Sequence, residues 1–192
     1  MKRMLFVTPM LLLLACLAPA ASAQVSVGVY GDYMRLSQAG TNMDGLGARL
    51  GVHIAPETSL EAQMTYDFQQ TFAEGFTNTS GGSLTFSNSG LKVLRGLIGP
   101  KFQTPGPIHI FITAKGGFIN FSFDPATASG PGFVSTIQNL RTNNVHGMFY
   151  PGGGLEAQWG PIGLRLDVGD DMYFAGGAHN NLVVQFGPTI HF

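Results

Sequence analysis

The 192-residue sequence has little charge and almost no cysteine. Its single cysteine, Cys16, lies near the N-terminus, so the rest of the chain can form no disulfide framework and no thiol-based site. Charged residues make up 11% of the chain, whereas roughly 25% is usual for soluble domains. Ten Lys and Arg residues stand against eleven Asp and Glu residues, and without a basic excess nucleic acid is not an expected partner.

The N-terminal segment has the three parts of a secretory signal peptide. Two bases, Lys2 and Arg3, precede an apolar stretch over residues 4–17, and residues 21–23 form a small-x-small cleavage motif. We therefore expect export, a signal peptide over 1–23 with cleavage after Ala23, and one mature domain over 24–192. Lipoprotein processing that leaves a lipidated Cys16 is the alternative. No later apolar run reaches the length of a membrane-spanning helix.

The mature sequence alternates between apolar and polar residues, and a period of two is typical of β-strands. Eight segments show this pattern: 25–35, 45–55, 58–69, 91–103, 107–121, 145–159, 161–173 and 181–192. The fifth segment changes phase near Gly116 and Gly117, which indicates a β-bulge. No segment has the 3.6-residue period of a helix, so alternating strand–helix units are excluded.

The connections between these segments are alternately short and long. The short ones are 55–58, 103–107 and 159–161, and the long ones are 36–44, about 70–90, about 122–144 and about 174–180. The long connections are rich in Ser, Thr, Asn, Gly and Ala. Short turns at one end and long loops at the other predict an all-β fold, an eight-stranded antiparallel up-and-down barrel.

The charged residues fall on the strand face opposite to the apolar one. A soluble carrier barrel has an apolar interior, whereas a transmembrane barrel has a polar interior and an apolar surface. The sequence therefore predicts a transmembrane barrel whose lumen holds an ion-pair network. The predicted members are Arg49, Glu61, Arg95, Lys101, Lys115, Glu156, Arg165 and Asp167, and Asp32 and Asp67 share their face. A soluble sandwich that presents these residues to water is the alternative.

Aromatic residues fall near the predicted strand ends on the apolar face. They are Tyr33, Tyr66, Phe68, Phe102, Trp159 and Phe192. Aromatic belts are typical of the level where lipid headgroups meet hydrocarbon. These positions therefore favour the membrane interpretation over the soluble sandwich.

The C-terminal segment QFGPTIHF resembles the assembly signal of bacterial outer-membrane β-barrels, with Gln185, Gly187, Ile190 and Phe192 at matching positions. The segments LIGPKF, AKGGF and PGGGLEAQWGPIGLRLDVGD are similar to the small OmpA-type β-barrel domain family. The resemblance implies an outer-membrane location, surrounding outer-membrane lipid and recognition by the barrel-assembly machinery. The chain stops at Phe192, so the peptidoglycan-binding domain of many OmpA-type proteins is not expected.

The function expected from these features is a structural or surface-interaction role for a monomeric barrel whose loops 70–90 and 122–144 face outward. A narrow porin-like channel for small solutes or ions is one alternative. A lipid-modifying enzyme that uses His146 or His179 with a loop serine is another.

We expect no catalysis, no cofactor and no metal site. The five histidines, His53, His109, His146, His179 and His191, lack the spacing of metal ligands. Asp170 and Asp171 are adjacent at a strand end and are expected to point to opposite faces of a solvated rim.

Overall fold

The computed structural model describes residues 24–38, 40–78, 84–123, 133–135 and 144–192. Its strands are β1 (Val25–Leu36), β2 (Thr41–Ala55), β3 (Thr58–Asn78), β4 (Leu84–Gln103), β5 (Ile108–Phe123), β6 (Phe133–Ser135), β7 (Val145–Trp159), β8 (Ile162–Asp170), β9 (Met172–Phe174), β10 (Ala178–His179) and β11 (Leu182–His191). The described residues include no helix long and apolar enough to cross a membrane. The predicted signal peptide and the alternative at Cys16 lie outside these residues.

Eight strands form a closed antiparallel barrel in the order β1-β2-β3-β4-β5-β7-β8-β11, with β11 returning to β1. The closing pair runs from Ser26↔His191 to Arg35↔Leu182. Closure gives each strand two hydrogen-bonded neighbours, which a sheet surrounded by lipid requires because lipid offers no hydrogen bonds. The predicted eight-stranded antiparallel barrel is confirmed.

The two ends of the barrel differ in their connections. One end, called the short-turn end, carries the turns at 56–57, 104–107 and 160–161 together with Gln24 and the C-terminal Phe192. Gly160 has a φ of +61°, which suits the two-residue turn between Trp159 and Ile162. The opposite end, called the long-loop end, carries all the longer connections.

The β3–β4 hairpin stands well above the barrel wall at the long-loop end. Its pairing continues to Thr77↔Leu84, whereas β2 leaves β3 at Gly45↔Asp67 and β5 leaves β4 at Leu91↔Phe123. A strand needs about 9–11 residues to cross a bilayer. At 21 residues, β3 has twice that length. Residues 71–78 and 84–90, with β6 paired to β3, are named the projecting sheet.

The expected loop at 70–90 is therefore mostly strand. Gly, Ser, Thr and Asn predominate in this segment, and its large apolar residues are only Phe72, Phe76, Leu84 and Phe86, so the period-two pattern is weak there. Most of the other expected loop, 122–144, lies outside the described residues.

The predicted bulge near Gly116 and Gly117 is wrong. β5 keeps a constant register with β4, from Ile98↔Gly116 to Lys101↔Thr113, and with β7 along its whole length. A glycine at an outward position interrupts the apolar pattern without inserting a residue. The register shifts that do occur lie between His53 and Ala55 and between Asp67 and Gln70.

The outer surface of the barrel is apolar. In β8, Ile162, Leu164, Leu166 and Val168 are 39–57% exposed, and the residues between them point inward and are buried. The outward aromatic residues lie toward both ends, with Tyr66 and Phe68 in edge-to-face contact near the long-loop end and Trp159 beside a short turn. An exposed apolar surface of this extent is suited to contact with lipid.

The interior has two zones, of which the sequence predicted only the charged one. An apolar zone fills the long-loop half of the lumen. It contains Met34, Leu36, Met43, Leu91, Val93, Leu97, Ile119, Phe121, Met148, Tyr150, Tyr173, Ala175 and Val183. The predicted polar, ion-paired interior is therefore found only in the remaining part of the lumen.

Candidate functional site

The eight charged residues predicted to line the lumen all lie inside the barrel. Each occupies an inward position of its strand, and none is more than 6% exposed. They are Arg49, Glu61, Arg95, Lys101, Lys115, Glu156, Arg165 and Asp167. A buried charge is costly unless it is paired and hydrogen-bonded, so the pairing determines what this interior can do.

Glu61 on β3 is the centre of the larger group of charges. Arg165 donates to its Oε1 at 2.6 Å, and the Nζ of Lys115 lies 2.9 Å from its Oε2. Lys101 and Arg49 approach the same carboxylate at 3.5 and 4.0 Å. One carboxylate thus faces four bases from four strands, which ties opposite sides of the barrel together.

Two further carboxylates complete this group. Asp167 accepts from Arg165 at 2.9 Å and from the hydroxyl of Tyr150 at 2.7 Å. Glu156 lies 2.9 Å from Lys101 and 2.9 Å from the His191 ring. The group is named the mixed cluster and consists of Arg49, Glu61, Lys101, Lys115, Glu156, Arg165 and Asp167. Its four bases and three acids have a formal charge of +1.

Arg95 does not join the mixed cluster. Its Nε and Nη2 donate to the two oxygens of Asp67, both at 3.1 Å. The same guanidinium bonds to Asp32 and to Asp171. These four residues are named the aspartate cluster, and their formal charge is −2. The lumen is therefore divided into a positive and a negative group, which the sequence did not indicate.

Gln185 connects the two clusters. Arg49 of the mixed cluster donates to its Oε1 at 2.7 Å, and its Nε2 donates to Asp32 of the aspartate cluster at 2.9 Å. The amide dipole is therefore aligned between a cation and an anion. Gln185 was selected from the sequence as part of the assembly signal, and its place in the lumen was missed.

Three aromatic rings lie between glycines of the barrel wall and cations of the lumen. The ring of Phe111 covers Gly154, whose Cβ, if present, would lie 2.8 Å from it. The guanidinium of Arg165 lies 3.9 Å from the centroid of the same ring. Tyr30 covers Gly47 beneath Arg49, and Tyr150 covers Gly169 below Lys115. Glycine therefore makes room for rings that stabilise the lumen cations through cation–π contact.

Asp171 is the charged residue that the sequence placed wrongly. It points opposite to Asp170, as expected, but it is fully buried and bonded to Arg95 instead of lying on a solvated rim. The inward positions of β8 continue with a period of two through Arg165, Asp167 and Gly169 to Asp171. This period of two could have predicted from the sequence that Asp171 points into the lumen.

The residues of the predicted assembly signal divide between the two faces of β11. Gln185 and Gly187 point inward, and Gly187 lies against the backbone of Val29 and Tyr30. Ile190 is 47% exposed and Phe192 is 73% exposed on the outer side. The backbone N–H of Phe192 donates to Val25 at 2.8 Å, so the last residue is tied to the first strand.

The histidines lie at the two ends of the lumen. His53 and His191 face each other at the short-turn end with ring centroids 6.4 Å apart, whereas His146 and His179 both contact the ring of Tyr173 at the long-loop end. Burial raises the pKa of Tyr173 above its usual value. In the part of the chain that the structure describes, no group of three or more His, Cys, Asp or Glu residues is placed to hold a metal ion.

The geometry defines an eight-stranded β-barrel of the outer-membrane type. No protein-family model and no curated protein matches the sequence. Solved structures do match the fold. OprG from Pseudomonas aeruginosa has a TM-score of 0.58 at 8% identity, with 88% of this chain and 96% of OprG covered.

Two further neighbours are also small outer-membrane barrels. Neisserial surface protein A has a TM-score of 0.54 at 10% identity over 91% of this chain and 98% of its own. Ail, the attachment invasion locus protein of Yersinia pestis, has a TM-score of 0.52 at 11% identity over 88% and 97%. At such identities the likeness shows the fold alone, and it does not show membership of the OmpA-type family.

Proposed function

We propose that the protein is an outer-membrane β-barrel with a closed lumen that makes contacts at the cell surface through its projecting sheet. The observation that carries the proposal is a sealed, ion-paired interior beneath a sheet that extends past the membrane-spanning length. In a barrel of this form the closed lumen offers no surface for a ligand or a solute. The surface available for binding is the projecting sheet.

The closed lumen is supported by the burial of its charges. A water-filled channel leaves polar side chains in contact with water, yet Lys115 and Asp167 are 0% exposed and Glu61 and Arg95 are 1% exposed. Eight strands enclose a space that side chains can fill. The apolar zone adds a second obstruction at the long-loop end. These features favour a structural barrel over a narrow pore.

The membrane location is supported by the outer surface. Apolar side chains cover the wall between aromatic residues toward both ends, as lipid contact requires. In the structural neighbours this fold belongs to outer-membrane proteins. The short-turn end is then on the periplasmic side, and the projecting sheet is outside the cell.

The projecting sheet is suited to polypeptide rather than to polyanions. The neighbour Ail has been crystallised with the heparin analogue sucrose octasulfate. Residues 71–90 of this chain contain no Lys or Arg, so this segment offers no charge for such a ligand. In the described residues, the outer edge of β4 above Leu91 has no paired strand. An open strand edge can accept an extended peptide through its backbone.

A lipid-acting enzyme is the less favoured function. His146 points into the lumen and is 7% exposed, and His179 stacks on Tyr173 and bonds to Gln38. Both rings thus contact the interior packing, whereas an enzyme acting on membrane lipid needs its reactive groups at the lipid face. A changed lipid composition in cells that express the protein would contradict this assignment.

Trimming the projecting sheet tests the surface role. Residues 72–89 are removed and Thr71 is joined to Gly90, its paired residue, by an Asn-Gly turn. We expect the barrel to fold as before, because the other barrel pairings are retained, while cells displaying it lose attachment to a protein-coated surface. The measurement compares attached cells at equal surface expression. Equal attachment by the full and trimmed barrels would contradict the proposed role.

A further inference from the structure

The aspartate cluster contains more negative charge than its one cation can balance. Asp32, Asp67 and Asp171 converge on Arg95, and all four residues are at most 5% exposed. Two negative charges therefore remain uncompensated in a site without water contact. Ionised groups in such surroundings carry a large desolvation cost, which is relieved when one of them becomes neutral.

The surrounding groups do not supply the missing positive charge. Toward the long-loop end, the next inward residues are apolar or aromatic: Met34 on β1, Val93 on β4 and Tyr173 on β9. The neighbouring titratable and charged groups are Tyr30 on β1, Arg49 on β2, Tyr150 on β7, and Asp167 and Asp170 on β8. Arg49 reaches the cluster only through Gln185, and Tyr150 donates to Asp167.

One oxygen of the cluster has no partner. Both oxygens of Asp67 bond to Arg95, and those of Asp32 bond to Gln185 and Arg95. The Oδ1 of Asp171 is buried and accepts no hydrogen bond. An unsatisfied buried carboxylate oxygen is costly, and it is a position where a proton relieves both the charge and the missing bond.

We propose that Asp32, Asp67 and Asp171 form a proton-binding site that takes up one proton as the pH falls through the near-neutral range. A metal ion does not fill this role, because the described residues contain no metal-holding arrangement and Arg95 occupies the space between the carboxylates. The proton belongs to the three interacting carboxyl groups together, as in other coupled acid sites.

The site lies next to the hairpin formed by β9 and β10 at the long-loop end. Asp171 follows the last residue of β8, and its buried carboxyl bonds to Arg95 on β4 inside the lumen. Its backbone is paired to Asn181, where the hairpin returns to β11. When the proton leaves, repulsion among the three carboxylates loosens this attachment.

The sign of the pH dependence follows from proton counting. Unfolded aspartates have a pKa of about 4, so the unfolded chain holds no proton on these groups at neutral pH. The folded barrel binds one more proton, and its stability therefore falls as the pH rises. Between the unfolded pKa of about 4 and the pH at which the folded cluster releases this proton, the unfolding equilibrium constant changes by about tenfold per pH unit, and above that pH the dependence ends.

The test measures unfolding of the refolded barrel in lipid vesicles at several pH values from about 5 to about 9, on both sides of the proposed proton release. The proteins compared are the natural protein, Asp171→Asn and Asp32→Asn. The matched control is Asp44→Asn, which changes an exposed, outward aspartate. In the natural protein and the control we expect stability to fall by up to about tenfold per pH unit on the acidic side of the range and to level off once the cluster has released its proton. Either cluster variant should reduce this slope.

An infrared spectrum provides a readout that does not depend on folding of the variants. We expect the natural protein to show the carbonyl band of a buried protonated carboxyl group at weakly acidic pH, which disappears as the pH rises. Absence of this band throughout the range would overturn the proposal. An equal pH slope in the control and in a folded cluster variant would overturn it as well.

Discussion

The variant Glu61→Gln is expected to lose much of the stability of the barrel. Glutamine keeps the shape of the side chain, but it removes the carboxylate that faces Arg165, Lys115, Lys101 and Arg49. The four buried bases of the mixed cluster then have only two carboxylates as partners, Glu156 and Asp167. Removing one partner of a buried ion pair costs about 3–5 kcal/mol because the other charge remains uncompensated.

Denaturant unfolding of the refolded barrel in lipid vesicles measures this effect. Glu57→Gln is the matched control, since Glu57 lies exposed in the turn between β2 and β3. We expect Glu57→Gln to unfold at the same denaturant concentration as the natural protein. A Glu61→Gln barrel with that same midpoint would show that the mixed cluster does not stabilise the fold.

The second large effect is expected for Gly154→Ala on β7. A Cβ at this position would lie 1.9 Å from the carbonyl oxygen of Leu166 and 2.8 Å from the ring of Phe111. The ring can shift only by leaving Arg165, and the carbonyl belongs to the neighbouring strand. Overpacking of this kind costs about 1–3 kcal/mol, and sometimes more where backbone must move.

Gly147→Ala is the control for this variant, because Gly147 lies on the same strand with no atom within 4 Å of its added Cβ. The two proteins are compared by the fraction that keeps the compact gel mobility of the folded barrel without heating, and by denaturant unfolding. We expect Gly147→Ala to behave as the natural protein. Equal losses in both variants would indicate a general effect of removing glycine from β7.

The strand pattern was readable from the sequence because lipid and lumen impose opposite preferences on alternate residues. In β8 the sequence IGLRLDVGD assigns every side chain to the face where the structure places it. The same period identifies the inward charges one by one. The same period continues to Asp171, although a position on a solvated rim was predicted for that residue.

The grouping of the charges could not be read in this way. Alternation gives the face of a residue but not its height in the barrel, which depends on the stagger between strands. Arg95 and Arg49 both point inward, yet the register places one among aspartates and the other beside Glu61. The projecting sheet was missed for another reason, since residues 71–90 are mostly Gly, Ser, Thr and Asn and their few large apolar residues give only a weak alternation.

The apolar zone illustrates a further limit. Met34, Val93 and Phe121 point inward at the long-loop end, where the predicted lumen was polar. Apolar residues on both faces of a strand weaken the alternation between apolar and polar positions. The closed interior thus depends on side-chain packing, which the alternation of apolar and polar residues does not reveal.

The conductance of residues 24–192 refolded into a planar lipid bilayer tests the closed lumen most directly. Insertion is established independently with Trp159, the only tryptophan, which is 64% exposed on the outer surface and should be quenched by brominated lipid. We expect quenched fluorescence and an electrically silent bilayer. Discrete current steps that change in size in a Glu156→Gln barrel would contradict the closed lumen and would establish a pore lined by the mixed cluster.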